Sequence, residues 1–423
     1  MVLSSPFTTI LKNSLSENSI NGLILGSSEY SILQENEFFE TGLRMIDEEL
    51  DLYLSYQIYG NTANNRQLLF EKSLENVSIS LGDEGQIFFV GCKNITITNS
   101  MISHSIGLVV SFCENLTISN NIIQNIPLPG FIIWFCDDII INDNSCKNNG
   151  GNGINIIESS NCIVYNNTCE YNKRDGIFLY ESFNNTLTNN ICKNNDRIGS
   201  FDDRDGILVM ASTYTYLINN TCENNGDDGI SLYYSSYSFA INNTCNENTN
   251  RGIAMYSSNN SEILGNNCSS NNYYGLTERI SNNITISQNI FNSNNINGIT
   301  LYGTLYANIS YNIIQNNGVS GIDLPPTSIQ MGGYNVIYMN LISDNQYYGI
   351  NLIESYNNAI WHNAFIDNNK FGSSQAFDAT GTNTWFNSSL MEGNYWNDWI
   401  SGVYYIDGLP GIFDSYPLNS SPL

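Results

Sequence analysis

Ionic residues recur just ahead of a glycine in this sequence: Arg174-Asp175, Arg204-Asp205, Asp227-Asp228 and Arg251, with Tyr273-Tyr274 at the same place. Paired carboxylates can do acid/base work on a glycosidic bond. Asp205, Asp227, Asp228, Arg204 and Arg251 are therefore the catalytic candidates. Carboxylate oxygens also suit calcium. The stretch DRIGSFDD at 196–203 brings Asp202 and Asp203 to Asp205, Asp227 and Asp228 as a calcium-binding set; no other cofactor is expected. The competing reading is that Arg and Asp neutralise each other at the surface, worth about 0–1 kcal/mol per pair. Four residues after each glycine stand Trp134, Ile157, Tyr180, Met210, Tyr233, Tyr256, Arg279, Tyr302 and Pro325. An outward aromatic row is a platform for the C–H faces of sugar rings. Trp134, Tyr180, Tyr233, Tyr256 and Tyr302, with Arg174 and Asp175, are the substrate-binding candidates. Against this, Tyr favours strand surfaces and pairs with itself across strands without any ligand.

What must position these residues is a repeat. A Gly-aliphatic pair followed by alternation occurs at 107, 130, 153, 176, 206, 229, 252, 275, 298, 321 and 349. With Gly85 and Gly372 there are twelve intervals; nine are 23 residues and the others 22, 30 and 28. A fixed period of this size means a solenoid. Other columns keep the register: Asn121, Asn144, Asn167, Asn190 and onward to Asn363; Cys146, Cys169, Cys192, Cys222, Cys245 and Cys268; and Cys113, Cys136, Ser159, Ser182, Ser212, Ser235, Ser258, Ser281 and Thr304. Short runs of period two indicate strands, and no stretch has helical spacing. Three short strands and three turns fit 23 residues. The expected fold is all-β, a right-handed parallel β-helix of about 13 or more coils, stacked ~4.8 Å apart. Stacked amides make an asparagine ladder, and glycine is expected to serve a turn with positive φ.

Composition narrows the partners. The 423 residues carry 14 Lys+Arg against 40 Asp+Glu, a net charge of −26. Such a surface repels phosphate backbones, so nucleic acid is excluded as a partner. No run of 18 apolar residues encodes a membrane span. The 70 asparagines suit the ladder. The cysteines alternate with Ile and Phe in one slot, which reads as core filling; with no CxxC and only His104 and His362, zinc is not expected. Residues 1–84 read as irregular N-terminal coils and 85–384 as the regular β-helix. Residues 385–423, with Trp385, Trp396, Trp399, Tyr404, Tyr405 and Phe413, read as a cap that covers the last open coil. The opening MVLSSPFTTILKNSLSENSI lacks the basic and apolar regions of a secretion signal, which leaves a cytoplasmic protein or one whose leader is missing.

The unit NNTCENNxxxGIxLYxS resembles the right-handed parallel β-helix proteins of the carbohydrate-binding and sugar-hydrolase class. GDEGQIFFVGCKNITITNS at 82–100 and GNYWNDWISGVYYIDGLPGIFDSYPL at 393–418 resemble the NosD-like proteins of archaeal and bacterial surfaces. The resemblance covers about residues 60–418 and implies an extracellular or cell-surface location. The family's namesake is a periplasmic factor for copper-site assembly. Copper(I) wants exposed Met, Cys or His together, and this chain has no Met/His cluster. GDDGI at 226–230 resembles the paired-aspartate motif of polygalacturonases, but that family's Asn-x-Asp, Gly-His-Gly and Arg-x-Lys partners are missing, as is the Asp-Pro-His-Asp of alginate epimerases.

The residues therefore favour a surface rod that binds carbohydrate without catalysis. Three alternatives stay open: a polysaccharide lyase, hydrolase or epimerase using the Asp/Arg patch; a structural or adhesive component; and a NosD-like copper-assembly factor.

Overall fold

The computed structural model describes residues 1–16, 22–82, 84–103, 107–195 and 204–423. It is a parallel β-solenoid of about 16 turns, and its contacts divide it into two units, residues 1–196 and 197–423.

Most regular coils have three strands; in those after Gly229 and Gly252 the third is reduced to a single bridge, at Thr244 and Asn267. In the first unit one coil runs Ile154–Ile157, Ile163–Tyr165 and Thr168–Glu170. In the second, one runs Ile207–Met210, Tyr216–Ile218 and Thr221–Glu223. Strands of the regular coils pair in parallel, most of them with the equivalent 23 residues on, as Ile154 with Ile177 and Ile230 with Ile253. Alternation points the first and third residues of the glycine-led strand inward: Ile230 and Leu232 are wholly buried, as are Ile154 and Ile156.

Polar ladders close the turns. The Asn144 amide donates to Asn167 Oδ1 at 2.9 Å and to the Ile118 carbonyl at 2.9 Å, while its backbone N–H also reaches Asn167 Oδ1. Asn266 repeats this with Asn289 and Ala240 in the second unit. A second amide ladder accompanies it: Asn248 to Asn271 to Asn294 to Asn317. The Cys/Ser column is a third ladder. Ser235 N–H donates to Ser258 Oγ at 3.0 Å and Ser258 N–H to Ser281 Oγ at 2.9 Å. Buried backbone donors need such partners, since leaving one unmade costs about 1–3 kcal/mol.

Gly107 has the expected positive φ, but elsewhere the glycine column has a different cause. Gly153 and Gly229 are not in the left-handed region. Their coils simply approach too closely for a side chain: a Cβ on Gly229 would lie 2.6 Å from the Gly252 carbonyl oxygen and 2.8 Å from Cys245. The left-handed positions belong instead to Asn and Tyr at turns, such as Asn161, Asn260 and Tyr237. All ten cysteines are buried and none is in a disulfide. Stacked core positions continue from Cys268 through Phe291, Ile314, Ile342 and Phe365.

Among the described residues the first unit has one short helix, Leu50–Ser55, followed by Tyr56, whose hydroxyl donates to Asp47 at 2.7 Å. Among the described residues no helix is long and apolar enough to cross a membrane. In the second unit, aromatic rings stack on the last core positions. Trp396 stacks on Phe365 at 4.1 Å and Tyr404 stacks on Trp396 at 4.0 Å. Asp414 accepts the Trp396 indole N–H at 3.0 Å, and Asp378 accepts that of Trp385 at 3.2 Å.

Candidate functional site

The second unit brings Asp205, Asp227, Asp228 and Arg251 together. Asp205 and Asp228 stand at the position just before the glycine, where coils elsewhere carry Asn152 or Asn297. There an amide oxygen accepts the N–H of the next coil: Asn152 Oδ1 from Asp175 at 2.8 Å, and Asn297 Oδ1 from Ser320 at 2.9 Å. Carboxylates do the same work here. Asp205 Oδ1 accepts from the Asp228 N–H at 2.9 Å, and Asp228 Oδ1 from the Arg251 N–H at 2.8 Å. The other Asp228 oxygen lies 3.2 Å from Arg251 Nη1 and accepts from the Ser231 hydroxyl at 3.2 Å.

Carboxylate oxygens of Asp205, Asp227 and Asp228 fall within 4.8 Å of one another. Asp205 and Asp228 are buried; Asp227 is half-buried and accepts from the Asn250 amide at 2.8 Å. Burial pushes the Asp228 carboxyl up to about 7; Arg251 opposes this and Asp227 adds to it. Such oxygens suit a hard cation such as calcium, and the Arg251 guanidinium already lies against one of them. Asp202 and Asp203, expected in the same group, lie outside the described residues. Arg204 is buried beside Asp205, and its carbonyl accepts the Asp227 N–H at 3.1 Å. Arg251 Nε is buried with no hydrogen-bond partner among the described residues.

Beside this cluster the outward face of the glycine-led sheet carries parallel columns of side chains. The middle column is Ser231, Ala254, Thr277 and Thr300, small side chains in register and all buried. Arg251 and Tyr274 stand on one side of it, and Tyr233, Tyr256, Arg279 and Tyr302 on the other. The Tyr233 and Tyr256 rings are 6.4 Å apart, and the Arg279 guanidinium lies 5.8 Å over the Tyr302 ring. Burial, then the charges of Asp228 and Asp205, raise the Tyr233 hydroxyl pKa; burial and Tyr274 push Tyr302 up to about 12.

The aromatic row is not the open platform the sequence suggests. Tyr233, Tyr256 and Tyr302 are half-buried; Tyr233 lies against Tyr256, and Tyr302 under Arg279, which is the exposed member. In the first unit, Trp134 and Tyr180 are likewise half-buried in register with Ile157, and Tyr180 lies 6.2 Å from Phe178. Asp175 is buried and Arg174 exposed there. Several exposed tyrosines of the coils sit elsewhere, at left-handed turn positions: Tyr171, Tyr214, Tyr234, Tyr237, Tyr306 and Tyr334. For all of them but Tyr234, whose sister coils have Ala211 and Ser257, the signal was a Tyr standing where sister coils have Asn.

Sequence reasoning also missed Glu278. It occupies the inward slot of GLTER, in register with Met255 and Leu301. The side chain is fully buried, one oxygen accepts the Ser281 N–H, and the other has no partner among the described residues. Burial pushes its carboxyl up to about 8. It takes the N–H that the hydroxyl ladder would give to Thr304, whose Oγ1 is left without a partner among the described residues.

Comparison with known proteins finds two family models. Residues 278–400 match the periplasmic copper-binding protein (NosD) family, and residues 85–201 and 199–312 match the right handed beta helix region. No curated protein matches the chain. Similar solved structures include the A-module of mannuronan C-5 epimerase AlgE4 from Azotobacter vinelandii, at 15% identity and TM-score 0.48, covering 70% of this chain and 90% of that one. The periplasmic alginate epimerase AlgG matches at 15% identity and TM-score 0.43, covering 59% and 77%. The catalytic domain of an alpha-1,3-glucanase matches at 14% identity and TM-score 0.43, covering 88% and 65%. The beta-helix matches run from 85 to 312, more than half of the sequence, and agree with the coils described above: the chain belongs to the right-handed β-helix family.

Proposed function

We propose that the chain is an extracellular or cell-surface β-helix that binds carbohydrate along a trough flanked by the Arg251–Tyr274 and Tyr233–Tyr256–Tyr302 columns of its second unit. The observation that carries this reading is the placement of these two columns in register on either side of a column of small side chains. Tyr233, Tyr256 and Tyr302 supply ring surface and hydroxyls; Arg251, Asn250 and Asp227 supply directional donors and acceptors. Aromatic surface with a few placed polar groups is a usual lining of small-ligand sites. Asp228 and Asp205 are too buried to touch a ligand; Asp228 holds Arg251 in place. Wild type and a Tyr233→Ala/Tyr256→Ala variant are compared on a glycan array. Loss of the wild-type signals in the variant supports the trough; equal binding by both removes it.

A catalytic reading is favoured by one observation, the near-neutral Asp228 carboxyl within reach of Asp205 and Asp227. In that reading Asp227, the half-buried member, faces the sugar as acid or base and Asp228 sets its proton affinity. Incubation with acidic and neutral polysaccharides, with and without calcium, followed by product analysis separates the two. New chain ends or epimers, lost in Asp227→Asn, support catalysis.

A further inference from the structure

One corner of the second unit differs from every coil of the first. It follows the glycine-led strand and precedes the next one. In coil order its left-handed turn residue is Tyr214, Tyr237, Asn260, Asn283, Tyr306 and Tyr334. The two asparagines continue a surface amide ladder, Asn283 donating to Asn260 at 2.7 Å, as Asn184 donates to Asn161 at 2.6 Å in the first unit. The tyrosines replace that ladder in pairs. Tyr214 and Tyr237 stack at 5.1 Å and 10°; Tyr306 and Tyr334 stack at 5.5 Å and 23°. All four rings are about half exposed or more, from 43% to 59%. A bulky residue at positive φ is held there at a cost, where Asn is the easier choice.

The corner is also electrically blank. Residues 211–214, 234–237, 257–260, 280–283, 303–306 and 327–334 contain no Asp, Glu, Lys or Arg, in a chain of net charge −26. The same corner of the first unit carries Asp137, Asp138, Glu158 and Glu181. The extra residues of the coil after Gly321 fall here too. Gln330 folds back to donate to the Gly303 carbonyl at 2.7 Å and to Asn282 Oδ1 at 2.9 Å, which ties the extra residues to the preceding coils. The two pairs are centred four coils apart, about 19 Å at the ~4.8 Å strand spacing, with an amide strip between them.

We propose that this corner docks an extended, uncharged glycan lying along the stacking direction, its sugar rings on the two tyrosine pairs and its hydroxyls on Asn260 and Asn283. The lack of charge fits a neutral polyhydroxyl chain, and half-exposed rings supply the apolar contact. A chain that reaches both pairs gains from the second contact as an intramolecular event. This deepens the carbohydrate reading and adds a surface separate from the trough.

The test uses the full chain and soluble neutral polysaccharides in native affinity gels: barley β-glucan, glucomannan, hydroxyethyl cellulose and starch. Tyr214→Asn/Tyr237→Asn and Tyr306→Asn/Tyr334→Asn restore the residue of sister coils, so the fold is retained. The expected result is retardation of wild type by at least one polymer and a loss of affinity of about tenfold or more in either variant. Fragments of that polymer of about eight sugars bind wild type at least about tenfold more tightly than fragments of about two. No retardation by any polymer, unchanged affinity in both variants, or equal affinity for both fragment lengths overturns the proposal. Tyr233→Ala/Tyr256→Ala is run in parallel. If it alone loses binding, the trough stands and the corner falls; if only the Tyr→Asn variants lose it, the reverse holds.

Discussion

The Asp205 carboxylate accepts the Asp228 backbone N–H at 2.9 Å, the bond that Asn152 makes to Asp175 in the first unit. The carboxylate is thus first a ladder member and only then an ionic group. Asp205→Asn keeps the acceptor, and its denaturation midpoint should stay close to that of wild type. Asp205→Ala leaves a buried N–H unmade and should cost about 1–3 kcal/mol. Urea denaturation of both variants checks this; equal losses would show that charge, and not the acceptor, is what the position needs.

Glu278 makes stability fall with rising pH. Its folded carboxyl is pushed up to about 8 from the ordinary 4.5. Between those values the folded state keeps a proton that the unfolded state releases, so each step up in pH disfavours folding, and the effect levels off above about 8. Asp228, pushed up to about 7, acts in the same sense over a narrower window. Glu278→Leu restores the residue type of its neighbours Met255 and Leu301. It should raise the melting temperature at pH 8 more than at pH 5 and flatten the profile. A parallel displacement of the whole profile would contradict this assignment.

Gly229→Ala should fold poorly. The added carbon meets the Gly252 carbonyl oxygen at 2.6 Å, a backbone atom that cannot swing away. Overpacking of this kind costs about 1–3 kcal/mol. Thermal melts of Gly229→Ala beside the exposed-turn variant Gly402→Ala separate close approach from the loss of glycine as such. Gly402 has nothing within 4 Å but sits at φ 81, so its variant reports backbone strain alone.

The cap should matter as much as a coil. Trp396 lies between Phe365 and Tyr404 and is almost wholly buried. Trp396→Ala should lose about 3–5 kcal/mol and expose the last strands to pairing with other chains. Light scattering on warming reads this directly; an unchanged aggregation temperature would argue that other cap residues cover the core alone.

The repeat was legible because each coil faces the same steric demand at the same place. Asn144 and Asn266 must satisfy the same backbone groups, so the letters recur. The cluster was legible in part. Adding 23 to Asp205 gives Asp228, and adding 23 again gives Arg251. That Asp228 is wholly buried was not legible, since it depends on the small side chain of Ser231 and on how Arg251 lies over it. The reason for the glycines other than Gly107 was misjudged for a similar cause: close approach between coils leaves the same letter as a positive φ. Glu278 was visible in GLTER, in the slot where other coils carry Leu, Val or Met. Attention to the outward fourth position passed over the inward third one.

The central claim is that the coils from Gly229 to Gly298 present the ligand-binding trough. Hydroxyl-radical footprinting with the best-binding glycan of the array tests it most directly. The account predicts protection at Tyr233, Tyr256 and Tyr302, with Trp134 and Tyr180 of the first unit unchanged. A bound glycan that leaves those three tyrosines as reactive as in the free protein would contradict it.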